Sequence, residues 1–130
     1  MIDKVALIYV KDKQVLSSLS SGKDKYYLPG GKREGNETDL ETLKRKIKEE
    51  LSVDIVDDTV EYYGTFQAQA HEHAEGVMVQ MTCYTADFIG ELKLDNEIER
   101  VVWLNYSDRK DVSPVDQIIF DDLLDKGLIE

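Results

Sequence analysis

The chain has 130 residues, 42% of them hydrophobic and 33% charged, with a formal net charge of −11. That length buries a core without disulfide or metal staples and predicts one domain over residues 1–130. The acidic balance argues against nucleic-acid polymers and anionic membranes as partners. A single cysteine, Cys83, cannot form an internal bridge, which points to a reducing, cytoplasmic setting. No apolar run approaches membrane-spanning length, and the first residues lack the layout of a signal peptide.

Residues 5–10 (VALIYV) form an apolar, β-branched run that reads as a buried strand. Lys11, Asp12 and Lys13 make a polar turn, and residues 14–20 read as the returning strand of a hairpin. A loop over residues 20–25 leads to Tyr26-Tyr27-Leu28, a short strand that runs into Pro29-Gly30-Gly31. Proline with paired glycines should force the chain off the strand there and expose backbone groups.

The next segment is a helix. Leu40, Leu43, Ile47 and Leu51 recur at spacings of three and four, one apolar stripe. Thr38 followed by Glu41 is a capping-box signal for its start. Positions 46, 49 and 50 then share a face beside Arg45. Glu49 and Glu50 project together, with Glu37 just before the helix and the glycine turn behind. Clustered carboxylates beside a backbone-exposing turn suit Mg²⁺, which shares oxygen ligands with water and substrate phosphates.

Beyond the helix, residues 53–56 are a short apolar segment and residues 59–70 a longer strand. Residues 71–76 (HEHAEG) read as a surface loop rather than a transition-metal site, because a third histidine is absent from the sequence. Residues 77–88 alternate as a strand, with Val77, Val79, Met81 and Cys83 on the apolar side and Cys83 as inert core. A polar connector over residues 90–99 precedes a strand at residues 101–104. Ser113 as N-cap and Pro114 at the first position start a last helix. Val115, Ile118, Ile119, Phe120, Leu123 and Leu124 supply its buried side, and Gly127 its C-cap.

From Gly31 the chain reads Gly, five residues, Glu37, seven residues, then Arg45-x-Ile47-x-Glu49-Glu50-x-x-Val53. This resembles the signature of the Nudix hydrolases, with Lys46 in place of a glutamate and Ser52 in place of a glycine. The apolar-Pro-Gly-Gly approach at residues 28–31 extends the likeness. The resemblance implies an α/β fold, an α/β/α sandwich whose mixed sheet lies with a central motif helix and a C-terminal helix. It further implies Mg²⁺-dependent hydrolysis (Mn²⁺ being an alternative ion) of a diphosphate linkage in a nucleotide-type small molecule, a nucleoside diphosphate joined to another moiety.

Carried over residue by residue, the likeness makes Glu49 and Glu50 metal ligands, joined by a backbone carbonyl at Gly31. Arg45 would orient a carboxylate, Glu37 would support the loop–helix junction, and Glu97 would be a further base or metal-facing carboxylate, ordinary loop charge being its plain alternative. Gly30, Gly31 and Tyr26 are the expected substrate contacts, with Tyr62, Phe66 and the 71–76 loop as further sources of base recognition. Lys46 stands three and four residues before Glu49 and Glu50, the spacing for ion pairs. It therefore competes with a cation for them, and a nucleotide-binding or interaction domain with impaired catalysis is the alternative to an enzyme. A homodimer through an exposed strand is compatible with the sequence.

Overall fold

Residues 2–8 form β1 (Ile2–Ile8), and its apolar run is buried on both faces. In this computed structural model, which describes residues 1–94 and 97–130, Val5 and Leu7 join one core cluster, while Ala6 and Ile8 join another. The first cluster is completed by Leu43, Ile47 and Leu51 of α1 (Asp39–Leu51), the second by Ile119, Phe120 and Leu123 of α2 (Pro114–Asp125). Two-sided burial is why this strand reads as a continuous apolar run instead of an alternation. Each fully buried aliphatic side chain contributes roughly 1.5–3 kcal/mol relative to exposure, so β1 ties both halves of the core together.

The remaining strands are β2 (Val10–Lys11), β3 (Gln14–Ser20), β4 (Gly30–Lys32), β5 (Asp54–Ile55), β6 (Glu61–Gln69), β7 (Met78–Thr85), β8 (Phe88–Ile89) and β9 (Ile98–Leu104). One mixed sheet has the order β4-β1-β7-β6, with β1 parallel to β7 and its other pairings antiparallel. A second sheet runs β2-β3-β9, and β5 pairs with β8. The arrangement is the α/β/α sandwich expected from the sequence, with helices on opposite sides of β1.

The hairpin turn falls at Asp12 and Lys13, both with positive φ, the conformation that matches a two-residue turn to strand twist. The strand expected over residues 5–10 starts earlier, at Ile2, and breaks after Ile8. Gly30 and Gly31 do not leave the strand layer. They form β4 and pair with β1, Ala6 opposite Gly30, Val5 opposite Gly31 and Lys4 opposite Lys32. Tyr26 and Tyr27 make only isolated bridges, to Val112 and Ser18. β9 begins at Ile98, ahead of the expected residue 101, and Asp95 and Asn96 of the expected connector lie outside the described residues.

Helix α1 starts as its sequence predicts: the Thr38 side chain accepts from Glu41 N, and the Glu41 side chain accepts from Thr38 N. It ends on Ser52 in the left-handed region at φ 62°. Ser113 precedes α2 as expected, but its hydroxyl makes no capping bond. That helix closes with Gly127 at φ 71°, its N–H on Leu124 O and the Leu128 N–H on Leu123 O, a Schellman ending one residue past the Lys126 cap. Ile118 and Leu124, expected on the buried side, are exposed because they lie off the narrow stripe of Val115, Ile119 and Leu123. Cys83 is fully buried in the core, as expected, and burial pushes its thiol well above the usual range. No helix among the described residues is long and apolar enough to cross a membrane.

Candidate active site

A cleft of about 510 Å³ opens where α1 meets β4, β1 and the 71–73 loop. Gly30, Gly31, Arg45, Lys46, Glu49 and Glu50 all line it. The glycine turn and the carboxylates, twenty residues apart in sequence, are thus brought together.

Gly30 has φ 144°, and a Cβ there would collide with Val5 O of the adjacent strand. Only glycine fits that close approach. The resulting backbone position lets Gly30 N donate to Glu50 Oε1 at 3.1 Å. The Glu50 side chain is only 17% exposed. Burial pushes its carboxyl up to about 7, the Gly30 N–H and Lys46 pull it down, and Glu49 and Glu97 push it up again. Glu49 is half exposed.

Arg45 and Glu37 make the frame. Arg45 donates Nε to Glu37 Oε2 at 2.7 Å and Nη2 to Glu37 Oε1 at 2.9 Å. Nη2 also donates to Lys32 O at 3.0 Å, which ties α1 to the end of β4. Glu37 Oε1 accepts from Glu34 N and Thr42 Oγ1 as well. This clamp holds the Glu37 carboxyl down at about 2, with the Arg45 bond the largest cause. Arg33 adds a second brace, binding Asp3, Asp39 and Glu37 O.

Lys46 lies inside the cleft. Its Nζ is 3.7 Å from Glu49 Oε2 and 3.9 Å from Glu50 Oε2, as the i,i+3 and i,i+4 spacing predicts. Its aliphatic stem passes so close to Gly31 that a Cβ at that position would strike Lys46 Cε. Both ion pairs are longer than a hydrogen bond. At such lengths neither contact is a fixed hydrogen bond, so a divalent ion or an anionic ligand can reorganise them.

Two expected residues lie elsewhere. Tyr26 packs against the α2-side core, and Tyr27 lines the cleft in its place. Neighbouring residues of an extended segment face opposite ways, so the sequence located the aromatic pair and missed which member faces inward. Glu97 is exposed in the turn before β9, and its carbonyl accepts from Ser21 N; it is not among the cleft-lining residues, although its charge reaches Glu50. Tyr62 is 60% exposed and Phe66 packs against Tyr63, so neither lines the cleft. His71 and His73 of the loop do line it. His71 Nε2 lies 2.7 Å from Asp24 Oδ1, bridging the two loops at the mouth.

Sequence reasoning missed Lys4 and Asp116. Lys4 lines the cleft beside Tyr27, with Nζ 5.4 Å from the ring centroid. Asp116 lies fully buried behind the wall made by Leu28, Ser113 and Val115; its Oδ2 accepts from Leu28 N at 2.8 Å. Among the described residues its Oδ1 has no hydrogen-bond partner. Neither residue carries a local sequence signal, since β1 and α2 meet at the cleft only in three dimensions.

A sandwich that stacks a carboxylate-bearing helix on a glycine edge strand defines a class that the comparisons name. A family profile described as NUDIX domain matches residues 3–123, so the chain belongs to the Nudix family of hydrolases. Members of that family act on nucleoside diphosphate derivatives and generally use divalent metal ions, and the protein is accordingly an enzyme. Among solved structures, the MutT protein from Bacillus halodurans is similar at 25% identity and TM-score 0.73, over 95% of this chain and 82% of that one. The E. coli ORF135 protein is similar in fold at 23% identity and TM-score 0.76, over 96% and 89%. A C. elegans Ap4A hydrolase shares the fold at 16% identity and TM-score 0.69, over 96% of each chain. A comparison with curated proteins returns no match.

Proposed function

We propose that the protein catalyses Mg²⁺-dependent hydrolysis of a diphosphate linkage in a nucleotide-type substrate, by attack of water on phosphorus. The observation that carries this reading is the joint placement of Glu49, Glu50 and the Gly30–Gly31 strand edge at one cleft. The donor set fits a hard cation: two carboxylates, one with Oε2 free of hydrogen bonds among the described residues, beside a backbone strand edge. Glu49, Glu50 and a backbone carbonyl of the Gly30–Gly31 edge would hold the ion, and Mn²⁺ would suit the same oxygens. When bound, the ion would supply charge neutralisation for the diphosphate and acidify a water.

The chain's own residues set the geometry. Arg45 and Glu37 lock the start of α1 against β4, so the two glutamates present from a fixed base. Gly30 N holds Glu50 Oε1, leaving Oε2 toward Lys46 and the cleft. Tyr27, with Val79 and Met81, gives the inner wall an apolar and aromatic character suited to a planar base. Glu97 remains a candidate for proton transfer that would require the turn before β9 to approach Glu50. The single cysteine, Cys83, cannot pair within the chain, which fits a reducing cytoplasm.

A second reading rests on Lys46. An ammonium within 3.9 Å of both glutamates weakens a cation's hold and favours binding over turnover. One experiment separates the readings: purified protein with Mg²⁺ or Mn²⁺ is given nucleoside triphosphates, oxidised nucleotides, nucleotide sugars and dinucleoside polyphosphates. Phosphate and pyrophosphate release are followed, with Lys46→Glu and Glu50→Gln in parallel. Turnover by the wild type that Glu50→Gln abolishes supports hydrolysis. Turnover by Lys46→Glu alone supports the binding reading, and silence from all three sinks the hydrolase reading for these substrates.

A further inference from the structure

We propose that Lys46, with Lys4 and Lys32, forms a seat for a substrate phosphate that works without a metal ion. The chain carries a net charge of −11, yet these three ammonium groups line the same cleft. Lys4 and Lys32 stand directly opposite each other on β1 and β4. Like charges at such a cross-strand pair are destabilising. Among the described residues neither of the two forms a salt bridge; what offsets the repulsion at Lys4 is the field of buried Asp116 and of Glu50 and the face of the Tyr27 ring.

Lys46 completes the group from the helix side, since its stem lies across Gly31, the residue before Lys32. Its side chain is 20% exposed, and among the described residues its Nζ makes no hydrogen bond, only the two long ion pairs. An ammonium carries three donors. With no acceptor at hydrogen-bonding distance among the described residues, these donors suit an acceptor-rich anion that enters the cleft. Phosphate oxygens supply one, at the charge-assisted lengths that the glutamates do not reach. Burial lowers the pKa of Lys4, Asp116 and Glu50 oppose this, and Lys32 and Lys23 reinforce it. An anion at the seat adds a counter-charge beside Lys4 and Lys32.

The seat deepens the proposed diphosphate hydrolysis and names the groups that grip the substrate. Its test uses inorganic pyrophosphate as probe, titrated calorimetrically into the full chain in EDTA, with circular dichroism as the check on folding. The wild type should bind. Lys46→Gln should weaken binding at least tenfold, Lys4→Gln should also weaken it, and Lys46→Arg should retain most of it. Glu49→Gln should bind at least as well as the wild type, since it removes a repelling carboxylate. No binding by wild type in EDTA, or equal binding by folded Lys46→Gln, overturns the seat. Absence of turnover with metal, while pyrophosphate binding persists, would remove the hydrolase reading and leave the seat standing.

Discussion

Arg45 spans both oxygens of Glu37, Nε on Oε2 at 2.7 Å and Nη2 on Oε1 at 2.9 Å, and so fastens the loop before α1 to the helix itself. The folded state holds Glu37 at about 2 against an ordinary 4.5, mainly through Arg45. A depressed carboxylate stabilises the fold above its unfolded pKa and loses that contribution as pH falls through the folded one. The melting temperature of the wild type should therefore drop between pH 4.5 and pH 2 through this pair. In Glu37→Gln that part of the drop should be missing, so the two proteins converge near pH 2. Thermal melts at stepped pH test it. Arg45→Lys keeps the charge and cannot form the fork, and turnover should fall about tenfold or more with the fold intact.

Glu50→Gln leaves an amide oxygen for the Gly30 N–H, so the strand edge should stay in place. Only the charge facing the cleft is lost. Turnover should fall by about 10²–10³-fold, while the urea midpoint at neutral pH should be no lower than that of the wild type, because a carboxylate raised by burial costs stability when it ionises. A variant that unfolds instead would show that Glu50 serves the fold before the site.

Ser52 occupies the left-handed cap of α1 at φ 62°, a conformation that costs residues with a Cβ roughly 1 kcal/mol. Ser52→Gly should stabilise the protein by about 0.5–1 kcal/mol, seen as a rise of about 2–4 °C in melting temperature. Activity should be unchanged, because Ser52 is exposed and is not among the cleft-lining residues. No gain in stability would mean that the serine is already accommodated there.

Asp116 works in the opposite direction to Glu37. Burial pushes its carboxyl from 3.8 up to about 7, against the pull of the Leu28 N–H and Lys4. The folded state then binds a proton that the unfolded chain has released, so this group makes stability fall as pH rises from about 4 to about 7. Asp116→Asn should remove that slope and be more stable than wild type at pH 8, by up to roughly 4 kcal/mol. Urea titrations at pH 5 and pH 8 decide it. Equal slopes for both proteins would place the cost elsewhere.

What the sequence made legible was whatever depends on near neighbours. The capping box of Thr38 and Glu41, the stripe of Leu43, Ile47 and Leu51, and the 45–46–49–50 face are set within a few turns of one helix. The α/β/α layering followed from the family resemblance that the motif carries, which the order of strands and helices fitted. What depends on partners far along the chain stayed hidden. Gly30 and Gly31 become a strand only because β1 offers its edge. Tyr27 replaces Tyr26 because a one-residue change of phase swaps faces. Lys4 and Asp116 approach the cleft from opposite ends of the sequence, and the Ile118 and Leu124 positions show that an apolar residue on a helix need not face its core.

The parallel pairing of β1 with β7 also sets a timetable for the chain. Ile2 aligns with Val79 and Ile8 with Thr85, so β1 leaves the ribosome well before the strand that will pair with it in parallel has been made. At typical synthesis rates that gap is roughly 4–15 s. Throughout it, the most apolar strand of the fold is without the partner that will cover its far edge. β4, which pairs with the other edge of β1, and helix α1, which packs on Val5 and Leu7, are native segments already synthesised that can shelter it. Nascent-chain folding should consequently be late and abrupt, triggered when β7 emerges.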